Sequence, residues 1–416
     1  MATRTRSVLS IVVLVIVAGF ALLGRWYAGH HTSSALAPSA FNVTVTSGAD
    51  RGPGTLREAL FVADAAPAEA NVVIRVASIA LQSALPPIVN PHGTTITAPP
   101  GGVQIDASAL APGSPAFDID SEHVWLDGVS IHQCAGTAIL VRASLFRLTA
   151  ASIRGCDVGI EVAPNANELA VENSHFESNH IGIRFTGSSR DSQIVKNEFS
   201  ANSTAGMWLV ASQAQPGADP VSVHDNQFNA DGTDVVLGNV AVLLEHNDFT
   251  AVRDAAVHII GAGAVVRNNR ITTGSAAGIV AENARGAVID GNELDHLDGY
   301  AILVRGSADT LVRGNRIHSC AYGMAFVLGD QQQPNSAVDN SLIDLKYNGI
   351  DVIGESPILR RNQVLQARAL PLHVQNFSPP GGAVVVAQPL LERNSFQSAT
   401  PAIPAVGALS TQAVGH

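Results

Sequence analysis

Three of the chain's four tyrosines, Tyr300, Tyr322 and Tyr347, recur at intervals of about one repeat unit beside a cluster of titratable groups. Asp295, His296 and Asp298 accompany the first, His318 the second, and Asp344 and Lys346 the third. Aromatic rings suit the C–H faces of sugars, while carboxylates and imidazoles hydrogen-bond hydroxyl groups. Asp295 and Asp298 are candidates for general acid and base, and His318 or Lys346 for proton acceptor. Tyr300, Tyr322, Tyr347, His296 and Asp344 are the matching candidates for holding a substrate. The same residues also suit a solvated turn covered by tyrosines, or a binding cleft without catalysis.

What brings these residues together is a repeat. Asparagine recurs in the frame apolar-x-x-Asn-x-(Phe/Ile/Leu/Val) at Asn173, Asn197, Asn226, Asn247, Asn269, Asn292, Asn315, Asn340, Asn362 and Asn394. A period of roughly 22 to 25 residues signals a stacked architecture. Short β-branched runs separated by polar turns indicate strands. One period is then one coil of a parallel β-helix. Asparagines at one turn stack in register, and their amides satisfy the turn backbone and one another. A second strand opens on Gly-Ile or a similar pair, as in VGIEV (158–162), IGIRF (181–185) and NGIDVI (348–353).

About eleven to twelve coils are expected, regular from Phe117, with the β-helix over 113–398. Residues 41–112 are read as an N-terminal cap with the first irregular coils, including a short helix capped near Thr55. Three enlarged turns, 211–219, 328–336 and 375–382, each follow the second strand and so share one edge. Residues 399–416 are expected to be disordered.

The amino terminus carries Arg4 and Arg6, then an apolar run from Val8 to Leu23, then Arg25. Residues 1–29 read as a signal anchor or a signal peptide, and 30–40 as a linker. Either places the body outside the cytoplasm, periplasmic or at the cell surface, tethered to the inner membrane by residues 8–24 if uncleaved. Envelope proteins are further candidate partners. A formal net charge of −11 argues against nucleic acid, which calls for a basic footprint.

Cys134, Cys156 and Cys320 each fall three residues after a strand isoleucine. Cys134 and Cys156 therefore stand in one column, ~4.8 Å apart by strand spacing. A disulfide and a pair of small stacked hydrophobes are both open there. The pair His224-Asp225 with His246 supplies too few converging ligands for zinc or copper. No cofactor is implied; calcium held by stacked carboxylates is possible but not indicated, since no Asp column exceeds two coils.

The frame from about 117 to 398 resembles the parallel β-helix repeat proteins of the pectin-lyase-like superfamily. The segment VTSGADRGPGTLREAL is similar to the opening of many exported bacterial members. The resemblance implies a right-handed coil and, often, a carbohydrate polymer as ligand. Members include polysaccharide lyases, uronate epimerases, glycosidases, accessory proteins of the NosD type and non-catalytic surface proteins. The Asp-Pro-His signature of the mannuronan epimerase branch is missing: the single Pro-His pair, Pro91-His92, follows Asn90. Two functions are thus expected to compete. One is a non-catalytic accessory factor that binds an envelope polysaccharide or exopolysaccharide. The other is a polysaccharide lyase or glycoside hydrolase acting through Asp295, His318 and Lys346.

Overall fold

The computed structural model describes residues 40–213 and 219–399. The leader, the linker to residue 39 and the tail from 400 lie outside the described residues. Among the described residues no helix is long and apolar enough to cross a membrane.

Three parallel sheets run the length of the rod. Sheet I has 15 strands, from Phe41–Val45 to Leu390–Glu392; sheet II has 14, from Ser78–Ala80 to Ser395–Ser398. Sheet III has 12, from Phe117–Ile119 to Leu372–Gln375. From Thr94 to Gln375 each coil contributes one strand to each sheet in the order I, II, III. This makes about 13 turns, more than the eleven to twelve expected. The frame-based count falls short because the strands Phe41–Val45, Ala70–Ile74 and Thr94–Thr97 belong to sheet I yet carry no Asn frame.

Strand periodicity explains the core. Alternate residues point inward, and in-register pairing stacks like on like: Phe176, Phe199, Phe228 and Phe249 form a ring stack with centroids 4.9, 4.9 and 4.7 Å apart. The glycine at the second position of several strands of sheet III, among them Gly159, Gly182 and Gly206, follows from this stack. A Cβ at Gly182 would lie 3.0 Å from the Phe199 ring and 2.5 Å from the Gly206 carbonyl oxygen. Asp234 takes this column in its own coil, opposite Gly206, and its carboxyl is consequently forced inside.

The asparagine column lies at the turn from sheet I to sheet II. Asn197, Asn226, Asn247, Asn269, Asn292, Asn315, Asn340, Asn362 and Asn394 pass hydrogen bonds upward, each Nδ2 donating to the next Oδ1 at 2.9–3.1 Å. Each also donates to a backbone carbonyl of the coil below, as Asn292 does to Val266 at 2.9 Å. Asn173 is the exception. Phe176 pairs with Phe199, so Ser174 stands below Asn197; its N–H donates to Asn197 Oδ1, while Asn173 is exposed. The VENSHF segment has one residue more between asparagine and phenylalanine than the frame requires.

A second polar column stands three residues past the strand residue of sheet II. It begins with Cys134 and Cys156, which form a disulfide. Asn179, Asn202 and Asp231 follow, each asparagine Nδ2 donating a hydrogen bond to the next Oδ1, and then the column turns apolar at Val252. Cys320, higher in the same column, is free and buried, and burial pushes its thiol up to about 11.

Near the start, Thr55 caps a helix over Leu56–Asp64 by accepting from the Glu58 N–H. Its apolar face, Leu56, Ala59, Leu60 and Ala63, joins the core.

Candidate functional site

Tyr300 and Tyr322 open the sheet III strands Tyr300–Arg305 and Tyr322–Val327. Tyr300 pairs with Tyr322 in register, and their ring centroids are 4.7 Å apart. Tyr347 precedes the next strand of the sheet by a few residues, yet its ring stacks on Tyr322, also at 4.7 Å. The three phenols thus form one continuous stack along the rod. Their faces are largely spent on each other; edges, hydroxyls and the exposed side of Tyr347 are what solvent meets. Lys346 Nζ sits 5.7 Å from the Tyr347 ring centroid.

Beneath the stack lies a carboxylate that sequence reasoning missed. Asp351 is 2% exposed and occupies the outward column of sheet III in which the two coils below hold Leu303 and Ala325. It is fully engaged. Oδ2 accepts from Tyr300 Oη at 3.0 Å, and Oδ1 from Asn348 Nδ2 at 2.8 Å. His373 Nδ1, one coil further, lies 2.8 Å from Oδ1. Burial first, then the Asp351 charge and hydrogen bond, raise the Tyr300 pKa, so this phenol stays a proton donor. The signal was an Asp where Leu and Ala precede it, followed by a His one repeat later.

Asp295 and His318 are brought together as in-register neighbours on the outer face of sheet II, with Oδ1 and Nδ1 3.2 Å apart. His296 Nδ1 lies 2.9 Å from the other Asp295 oxygen. Burial pushes the Asp295 carboxyl up, but the hydrogen bonds from His296 and His318 outweigh it and hold the pKa below the ordinary value. A depression of about 210 Å³ beside this pair is also lined by Glu293, Arg316 and Ser341. Ser319 bridges His318 to Asp344, with Oγ 3.1 Å from Nδ1 and 3.3 Å from Asp344 Oδ2; Arg368 is 3.6 Å from Asp344. Asp298 is exposed, and its side chain has no hydrogen bond or ion pair among the described residues. Neither Asp298 nor Lys346 reaches the Asp295–His318 pair through any bond among the described residues.

Two of the enlarged turns, 328–336 and 375–382, leave sheet III at its far edge, across the sheet from the tyrosines; the core of the third, 214–218, lies outside the described residues. Glu355, buried, anchors the first of them by accepting from the Gly329 N–H at 2.9 Å and Asn335 Nδ2 at 2.7 Å.

Three parallel sheets, a ladder of amides and an outer face carrying stacked phenols define a parallel β-helix. The chain belongs to the family described as the right handed beta helix region, whose model matches residues 102–230 and 214–364. No curated protein matches it in sequence. It is similar to the solved catalytic unit of the thermostable GH87 alpha-1,3-glucanase from Streptomyces thermodiastaticus strain HF3-3, at 15% identity and a TM-score of 0.54, covering 86% of this chain and 70% of that one. It is also similar to the A-module of the mannuronan C-5 epimerase AlgE6 from Azotobacter vinelandii, at 14% identity and a TM-score of 0.52, covering 87% and 100%. The expected resemblance to the pectin-lyase-like superfamily is borne out at the level of the fold.

Proposed function

We propose that this protein is an exported, membrane-tethered β-helix that binds a carbohydrate polymer where sheet II turns into sheet III, as a non-catalytic accessory factor. The observation that carries the reading is the Tyr300–Tyr322–Tyr347 stack fixed on the buried Asp351 together with His373. Rigid phenols on a rigid scaffold lose little entropy when a sugar packs against their edges, and the hydroxyls of Tyr322 and Tyr347, which have no hydrogen bond among the described residues, are free to bond its own. The names of the two similar solved structures, a glucanase and a mannuronan epimerase, agree with a polymeric sugar as ligand class. In this reading the apolar run at residues 8–24 is the tether, and the helix over Leu56–Asp64 closes the amino-terminal end of the rod against edge pairing.

The electrostatics favour binding over cleavage. Hydrolysis needs one carboxyl kept protonated near neutral pH and one kept ionised. Asp295 is held low; of the carboxyls that burial raises, Asp231, Asp234 and Glu355 are buried within the coil, and Asp64 lies at the end of the amino-terminal helix, away from the tyrosines. A lyase or hydrolase reading would rest on the Asp295–His318 contact.

Affinity electrophoresis in gels containing polysaccharides tests the site. Tyr322→Ala removes the middle ring and is expected to weaken retardation roughly ten-fold, about 1.4 kcal/mol, without moving the thermal midpoint. Asp351→Asn should weaken it less, by roughly three-fold, because Tyr300 and His373 lose their shared anchor. Retardation unchanged by Tyr322→Ala removes the site.

A further inference from the structure

A groove of about 710 Å³ opens near the amino-terminal end of the rod, far larger than the 210 Å³ depression beside Asp295. Its wall is an overhang. Between the sheet I strand Thr94–Thr97 and the sheet II strand Val103–Asp106 the chain takes the five-residue turn Ala98-Pro99-Pro100-Gly101-Gly102. The next coil turns the same corner through Gly128 alone, and the one after through Ala150 and Ala151. Gly101 and Gly102 have φ of +93° and +82°, the left-handed region that a side chain resists, and nothing lies within 4 Å of where a Gly101 Cβ would be. The turn therefore shows bare backbone to the groove.

The floor is one column of sheet II. Gln104, Ser130 and Ser152 pair in register on its outer face, at ~4.8 Å per step. Arg75 and Thr97 complete the polar lining on the sheet I side. Among the described residues none of these five side chains makes a hydrogen bond or ion pair within the protein. The titratable groups lining the groove are Arg75 and Asp127, one positive and one negative, so the lining has no net charge. Asp127 is already bonded by Thr149 Oγ1 at 2.5 Å. Pro99, Pro100 and Val73 supply apolar surface.

We infer that this groove is a second saccharide site, taking a neutral glycan segment laid along the rod axis. A ladder of short hydroxyl and amide groups at strand spacing meets successive sugar hydroxyls, and the proline wall packs against ring C–H faces. A charge-neutral lining in a protein of net charge −11 gives no attraction to a polyanion. The inference shares its ligand class with the proposed function but not its residues. Two sites on one rigid rod would bind one polymer with avidity.

The test is native affinity electrophoresis of the whole chain in gels cast with dextran, laminarin, hydroxyethyl cellulose or polygalacturonate. Ser130→Phe with Ser152→Phe fills the groove from outward-facing positions; Gln104→Ala with Arg75→Ala removes its donors with less disturbance. At least one neutral glucan is expected to retard the unaltered protein, and either pair of changes to weaken that retardation five-fold or more, with the thermal midpoint kept. Retardation that falls with Tyr322→Ala but survives both pairs overturns the groove alone. Retardation by polygalacturonate only also overturns it. Absence of retardation in every gel overturns both the groove and the proposed function.

Discussion

Replacing Asp231 by Asn is expected to stabilise the rod at pH 8 and to leave it nearly unchanged at pH 4. Asp231 ends the amide column begun by Asn179 and Asn202: its Oδ1 accepts from the Asn202 N–H at 2.7 Å and Nδ2 at 2.8 Å. The next coil offers Val252 in that column, so Oδ2 has no partner, and neither do the two oxygens of buried Asp234. The Asp231 N–H faces the Asp234 carboxyl without forming a full hydrogen bond. Burial pushes Asp231 up to about 7, against the Asn202 hydrogen bonds and the Arg253 charge. Asp234 is raised well above the ordinary value, first by burial and then by Asp231.

A carboxyl whose folded pKa exceeds its unfolded value favours folding fully only below about pH 4. That contribution is lost as pH rises toward 7, about 4 kcal/mol for Asp231 by linkage. An amide at 231 has nothing to ionise, and its Nδ2 can donate to the coil below as Asn202 does to the Phe176 carbonyl. The checking measurement is the urea midpoint of both proteins at pH 4, 6 and 8. The gap between them should open with pH. A gap that stays constant, or a variant weaker at pH 8, contradicts the burial of an ionisable pair.

Asn292→Leu is the second large effect, expected to cost roughly 3–5 kcal/mol because several buried groups are stranded at once. Asn269 loses the acceptor of both its N–H and its Nδ2, each at 3.0 Å. The Val266 carbonyl loses a donor at 2.9 Å, and Asn315 Oδ1 one at 3.0 Å. The control is Asn173→Gly. Asn173 is exposed at φ 51°, where glycine is unstrained, and Ser174 holds the ladder place, so this change should be close to neutral. Thermal melts distinguish the two. Equal losses would mean that the ladder runs through Asn173 after all.

That contrast shows what in-register stacking makes legible. Parallel coils place residues one period apart side by side, so the pairings Tyr300–Tyr322 and Asp295–His318 follow from the frame alone. The frame fails where the local count slips, as at Asn173, and where coils lack it, as in the three earliest strands of sheet I. Asp351 and His373 escaped because they sit within strands of sheet III rather than at a turn, with no motif to flag them. Their role comes from Tyr300 reaching across two coils, a side-chain geometry that spacing does not encode. The amino-terminal groove escaped because its wall is a Pro-Pro-Gly-Gly turn, which reads only as a turn.

Carbohydrate binding without cleavage is tested most directly by exposing the soluble body to a glycan array and then analysing the products formed from every polymer it retains. Retention of at least one polymer is expected, with chain length, reducing ends and saturation unchanged after prolonged incubation. Retention of none, or a retained polymer that emerges shortened or unsaturated, contradicts it.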